Sequence, residues 1–246
     1  MKSEFEVVRY DLEKDDYRSA ANYAEKRYMG SANEYKKRVM SNAYKSLIGP
    51  LAGKRILDVG CGTGRGIADF ASEAQIAIGT DASQDMLTIA ARKLGGQLGT
   101  GFVRSYAQQL PFPSDYFDLV TTLNFLHLFS LDTQRGMVAE MKRVVIPGGI
   151  IILEFDNALQ GLLLGMCKRW LGRERGATPR EIRYVIGNGC TVLKIYGAVF
   201  PLVWRAFHHF SGLFTQVEKV SYHPPLNRLS HRVFYKLRKD LSLLKS

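Results

Sequence analysis

The sequence predicts an α/β fold organised on a mainly parallel sheet, and three stretches carry that prediction. Residues 55–66 (RILDVGCGTGRG) pass from a short apolar strand into four alternating glycines. An apolar-periodic segment comes next (Ile67, Ala68, Phe70, Ala71) and reads as a helix. Residues 75–81 (QIAIGTD) read as a second strand that ends in an acid, 17 positions after Gly64. Residues 150–155 (IIILEF) are nearly all apolar or β-branched, as a central parallel strand covered on both faces should be.

The glycine-rich stretch is the first anchor of a function. Strand, glycine-rich turn and helix together offer bare backbone N–H groups and a helix N-terminus to a ligand. The spacing narrows the ligand. A dinucleotide fingerprint needs G-x-G-x-x-G, but Arg65 and Ile67 stand at the third glycine position in the frames that start at Gly60 and Gly62. No Lys-Ser/Thr pair comes after the glycines, so a phosphate-cradling loop is excluded. The second anchor is Asp81. A carboxylate at the end of the second strand can accept both ribose hydroxyls of an adenosine.

Composition bounds the rest. The 246 residues are 46% hydrophobic and 23% charged, enough for one domain with a substantial core. Three widely spaced cysteines, Cys61, Cys167 and Cys190, argue against a disulfide framework or a zinc site and for a reducing compartment. The opening residues carry no apolar run, so no secretory leader is expected, and no stretch is long enough to span a bilayer. The net charge of +11 is unevenly placed. Residues 1–167 hold 19 Lys+Arg against 19 Asp+Glu, whereas residues 168–246 hold 15 against 4. Such asymmetry suits an anionic partner surface, or simply a solvated basic face.

The remaining elements are taken along the chain. Residues 17–28 and 33–48 read as helices separated at Gly30-Ser31 and punctuated by Tyr23, Tyr28, Tyr35 and Tyr44. Residues 83–93 have helical period, with Ser83 as N-cap. Residues 101–107 and 117–125 read as the third and fourth strands with their exits. His127, the only histidine among the first 200 residues, lies just past a strand end, where open α/β sheets place their sites. Its imidazole could act as a general base or serve only in loop packing. Residues 131–145 read as a helix with Asp132 as N-cap, closed by a Pro147-Gly148-Gly149 turn before the fifth strand. The apolar run 158–170 suits a buried helix, a lid or an interfacial segment. Thr178-Pro-Arg-Glu opens another helix, ending near Gly187. Residues 190–200 read as strand six. Residues 200–214 form an aromatic stretch with His208 and His209, and residues 232–238 read as strand seven.

The D-x-G-x-G-x-G pattern at Asp58–Gly64 resembles motif I of class I S-adenosylmethionine (SAM) methyltransferases. The stretch from Ala107 (AQQLPFPSDYFDLV) and RVVIPGGIIILEF at 143–155 resemble their type-11 group, which includes quinone-biosynthesis enzymes. The resemblance implies a Rossmann-like seven-stranded sheet, order 3-2-1-4-5-7-6, with helices on both faces. It implies one domain, with 1–50 as a helical cap, 52–156 as the cofactor core and 157–240 as acceptor-side elaboration and edge strands. It implies SAM as cofactor, met by Asp58, Gly60, Cys61, Gly62, Gly64, Asp81, Ala82, Met86, Ala107, Gln108 and Asn124. Met86 would pack on the adenine, and Asn124 would border the methionine end. Tyr23 or Tyr28 would touch cofactor or acceptor at the cofactor mouth, or simply pack half-buried on an amphipathic helix. One departure stands out. Tyr106 occupies the position where the family has an acid for the adenine amine, so Gln108 or a backbone carbonyl would take that role.

The function so implied is methyl transfer to a small-molecule or lipid-like acceptor, in the cytoplasm. The basic, aromatic C-terminal third would allow peripheral contact with an anionic membrane at its inner face. An RNA- or protein-directed methyltransferase is the alternative, as is a non-catalytic SAM-binding protein. Nucleic acid is the weaker partner, because Asn124-Phe-Leu-His stands where base-amine methyltransferases carry a D/N-P-P-Y/F stretch. No metal constellation is visible.

Overall fold

Ile56, Leu57 and Val59 are fully buried, so the strand that holds them, β1 (Arg55–Val59), must be central. The computed structural model describes residues 31–158, 176–198 and 230–241. In chain order these hold α1 (Ser31–Ile48), β1, the single turn α2 (Arg65–Ala68), β2 (Ile76–Asp81), α3 (Gln84–Leu94), β3 (Thr100–Arg104) and β4 (Phe117–Thr122). Next come a 3-10 turn (Leu126–Leu128), α4 (Leu131–Val144), β5 (Val145–Asp156), α5 (Pro179–Ile186), β6 (Cys190–Ala198) and β7 (Arg232–Lys239).

The strands form one seven-stranded sheet in the expected order, β3-β2-β1-β4-β5-β7-β6. β1 pairs in parallel with both β2 and β4, so the strand order reverses at β1 and leaves a crevice at its C-terminal end. β7 runs antiparallel between β5 and β6. Successive residues of a strand face opposite sides, and the core divides accordingly. Ile56, Ile152 and Phe234 pack on the face covered by Val39, Tyr44 and Leu47 of α1. Leu57, Val120 and Leu237 pack on the face covered by Met137 and Met141 of α4 and Ile182 of α5.

Several local expectations are corrected. Pro147-Gly148-Gly149 is not a turn between helix and strand. α4 ends at Val144 and β5 begins at once, with Val145 opposite Phe117 and Ile150 opposite Leu119. The surplus residues form a bulge, which a proline without N–H and Gly148 at φ 76° accommodate. The N-cap of α4 is Ser130, whose Oγ accepts the Thr133 N–H, rather than Asp132. β3 stops at Arg104, and residues 105–107 leave the sheet. The helix after the glycines is one regular turn, although Ile67, Phe70 and Ala71 are buried as their period requires.

Other signals hold. Ser83 caps α3, and Thr178 with Glu181 forms a capping box on α5. No described helix is long and apolar enough to cross a membrane. Tyr23, Tyr28, His208, His209, nearly all of the apolar run 158–170 and the aromatic stretch 200–214 lie outside the described residues.

Candidate active site

Gly60, Gly62 and Gly64 have φ of 70°, 54° and 78°, which turns the chain sharply at the end of β1. The surroundings of two of them differ. A Cβ at Gly60 would fall 2.3 Å from the Phe125 ring, so only glycine admits that aromatic contact. A Cβ at Gly62 would meet no atom within 4 Å, so the turn is open above it. The N–H groups are less bare than the sequence suggested. Cys61 donates to the Thr80 carbonyl (2.9 Å), Gly62 to Asp81 Oδ2 (2.9 Å) and Gly64 to the Cys61 carbonyl (3.0 Å). The turn is therefore tied in shape by its own main chain and by β2.

Asp81 is half-buried at the end of β2. Its Oδ1 accepts the Ser83 N–H at 2.9 Å while Oδ2 holds Gly62. Each oxygen keeps a further lone pair, so a carboxylate fixed by two backbone donors can still accept two hydroxyls. Ala82 is next in the chain, with its carbonyl accepting Arg104 Nε at 3.0 Å. Met86 sits in the first turn of α3 and is half-buried. Across the crevice, Ala107 is buried and Gln108 half-buried, while Tyr106 is 63% exposed.

Asp58 lies deeper. It is a register partner of Thr121, whose Oγ1 donates to its Oδ1 at 2.9 Å. A Cβ on Gly66 would meet its Oδ2 at 2.6 Å, so the helix start packs directly on the carboxyl. At 2% exposure the acid is pushed up to about 7 by burial; Thr121 and Arg65 oppose that rise and Asp81 adds to it. Cys61 contributes main chain to the turn. Its thiol packs toward Gly79, and burial raises its pKa far above the ordinary range.

Past β4 the backbone of Asn124 is left-handed (φ 52°), and its N–H donates to Glu154 Oε2 at 2.9 Å. Glu154 is buried on β5 and pairs through Oε1 with Arg232 Nη1 of β7 at 2.9 Å. Arg232 also pairs with Asp156. His127 stands on the 3-10 turn, half-buried.

A cavity of about 260 Å³ adjoins the turn. Met40, Ser41 and Tyr44 of α1 form one wall. Arg65, Gly66, Ala68 and Asp69, at the close of the glycine turn and along α2, form a second. Leu123 and Asn124 past β4 and Phe234 of β7 complete it. Of the predicted site residues that are described, only Asn124 lines it. The glycine turn, Asp81 and Met86 gather at β1–β2, Ala107 and Gln108 lie past β3, and His127 stands past β4. Tyr44, Thr121, Glu154 and Arg232 escaped the sequence reading as site-supporting residues. Glu154 had left a signal, as the one charge in the apolar run 150–155. Among the described residues, no group of three or more His, Cys, Asp or Glu could hold a metal ion.

A sheet in this order, with a glycine turn after β1 and an acid closing β2, is the architecture of class I SAM-dependent methyltransferases. Residues 57–153 match the family model described as "Methyltransferase domain" and constitute such a domain, of the type-11 group. The chain is 38% identical over 111 residues to demethylmenaquinone methyltransferase of Clavibacter sepedonicus, covering 45% of this chain and 44% of that protein. It is 40% identical over 143 residues to demethylmenaquinone methyltransferase of Deinococcus radiodurans, covering 55% and 56%. It is 35% identical over 145 residues to the ubiquinone/menaquinone biosynthesis C-methyltransferase UbiE of Cupriavidus taiwanensis, covering 54% and 58%. The chain thus spans about half the length of the curated relatives it matches. Among solved structures, magnesium protoporphyrin IX methyltransferase (ChlM) of Synechocystis PCC 6803 with bound SAH superposes with a TM-score of 0.65, at 16% identity, over 89% of this chain and 94% of that one. The [4+2]-cyclase SpnF superposes with a TM-score of 0.63, at 20% identity, over 87% and 84%. At such identities the likeness is one of fold.

Proposed function

We propose that this chain transfers a methyl group from SAM to a small or lipid-like acceptor, and that the acceptor is a hydroxylated or quinone-type ring. The observation that carries the first part is the Asp81 carboxylate, pinned by Gly62 and Ser83 with lone pairs to spare beside an open turn. The names of the relatives support the second part.

When bound, the sulfonium supplies a methyl group that is already electrophilic. The chain's own residues then bind, orient and deprotonate. Asp81 accepts the ribose hydroxyls, with Ala82 and Met86 beside it. Ala107 and Gln108 border the adenine, where Tyr106 offers no carboxylate. Gly60, Gly62, Gly64, Cys61, Asp58 and Asn124 shape the methionine end. His127 removes the acceptor's proton as general base. The reading extends to a cytoplasmic protein touching an anionic membrane through its basic C-terminal third.

The test is incubation with methyl-labelled SAM and a cell extract separated into lipid, small-molecule, RNA and protein fractions. Label in the lipid or small-molecule fraction is the expected result. Label confined to RNA or protein would transfer the function to the alternative acceptors. SAM binding without any labelled product would leave a non-catalytic binding protein.

A further inference from the structure

We propose that Tyr44 binds the methyl acceptor, its hydroxyl donating to an oxygen on a planar ring seated in the cavity under α1. The inference rests on the methyltransferase reading and adds the acceptor's place to it. Tyr44 is 1% exposed, and its ring packs against Phe70 with centroids 6.0 Å apart. Its hydroxyl lies beside Thr121 and Asp58 yet makes no hydrogen bond of ordinary geometry. Folded proteins rarely leave a buried hydroxyl unpartnered, and a ligand is one way to satisfy it. This hydroxyl belongs to a residue that lines the cavity of about 260 Å³.

The cavity has the chemistry of an aryl pocket. Met40, Leu123 and Phe234 supply apolar walls, and Ser41, Tyr44, Arg65, Asp69 and Asn124 set polar groups around them. Its size admits one or two fused rings. Arg65 and Asn124 line it as well, so it meets the same glycine turn and β4 exit that the sequence assigns to the cofactor. Burial and the Asp58 carboxylate hold the phenol well above its usual pKa, so Tyr44 stays protonated and serves as donor. An oxygen that carries negative charge after losing its proton is the acceptor such a donor favours.

The test is a binding cycle on the full chain saturated with S-adenosylhomocysteine. The ligands are 1-naphthol and naphthalene, and the proteins are wild type and Tyr44→Phe. The substitution removes only the hydroxyl and keeps the ring against Phe70. The expected result is about a tenfold loss of 1-naphthol affinity in Tyr44→Phe, with naphthalene and S-adenosylhomocysteine affinities unchanged. Met40→Trp, which fills the cavity, should abolish binding of both aryl probes and spare S-adenosylhomocysteine. Equal 1-naphthol affinity in wild type and Tyr44→Phe overturns the proposal. So does failure of either probe to bind wild type, or competition between 1-naphthol and S-adenosylhomocysteine, which would assign the cavity to the cofactor's tail. Failure of the methyltransferase reading shows separately, as an absence of S-adenosylhomocysteine binding.

Discussion

Glu154 Oε2 accepts the backbone N–H of Asn124 at 2.9 Å, and through this contact a buried ion pair sets the path of the chain leaving β4. Asn124 is left-handed, a conformation that asparagine tolerates better than most non-glycine residues and that the Glu154 contact holds in place. Glu154 in turn needs Arg232, since a lone carboxylate at its depth would be costly. Arg232→Met should therefore leave the buried Glu154 carboxylate without its cation and cost about 3–5 kcal/mol in urea unfolding. A loss below about 1 kcal/mol would mean the pair does not hold this corner.

The contact between Gly60 and Phe125 gives a second prediction. Gly60→Ala combines a positive φ with a Cβ 2.3 Å from the ring, and should destabilise by about 1–3 kcal/mol. Adding Phe125→Ala should recover part of that loss, leaving only the backbone strain. If the two losses simply add, the contact is not the cause.

Asp58 gives the pH dependence. Its folded pKa is raised from 3.8 to about 7, so between those values the folded chain holds a proton that the unfolded chain has released. Stability from this group is complete below about pH 4 and declines as pH rises through about 7, by up to about 4 kcal/mol. Asp58→Asn keeps an acceptor for Thr121 and removes the titration. Its melting temperature should match or exceed wild type above pH 7, and the advantage should shrink as pH falls toward 4. Glu140 runs the other way, since Arg143 lowers its pKa, but it is common to both proteins and cancels in the difference. A difference in melting temperature independent of pH would contradict the assignment.

His127 tests the base. His127→Ala should leave SAM affinity alone and slow turnover about 10²-fold or more. A rate within a few-fold of wild type would reduce the residue to a packing role on its 3-10 turn.

The sheet was legible because its signals are local. The apolar runs of β1 and β2, the capping Ser83 and the Thr178–Glu181 capping box each act within a few residues, and these sat where expected. The Pro147-Gly148-Gly149 bulge was not, because proline and glycine mark a turn and a bulge with the same residues. Only pairing with β4 tells the two apart. The meeting of Gly62 and Asp81 at the end of β1 was legible, since their separation along the chain reflects adjacent strands. The site's supports were not. Tyr44, Thr121 and Arg232 meet their partners across 63 or more positions or through a cavity, and no local pattern records such meetings. The closed N–H groups of Cys61, Gly62 and Gly64 were missed for a similar reason, since their acceptors are set by the fold of the turn.

The most direct measurement is calorimetric titration of SAM into wild type and Asp81→Ala. The predicted result is one-to-one binding to wild type, weakened in the variant by about 1–3 kcal/mol through loss of charge-assisted hydrogen bonds. Equal affinity in the two proteins, or no binding to wild type at all, would contradict the account.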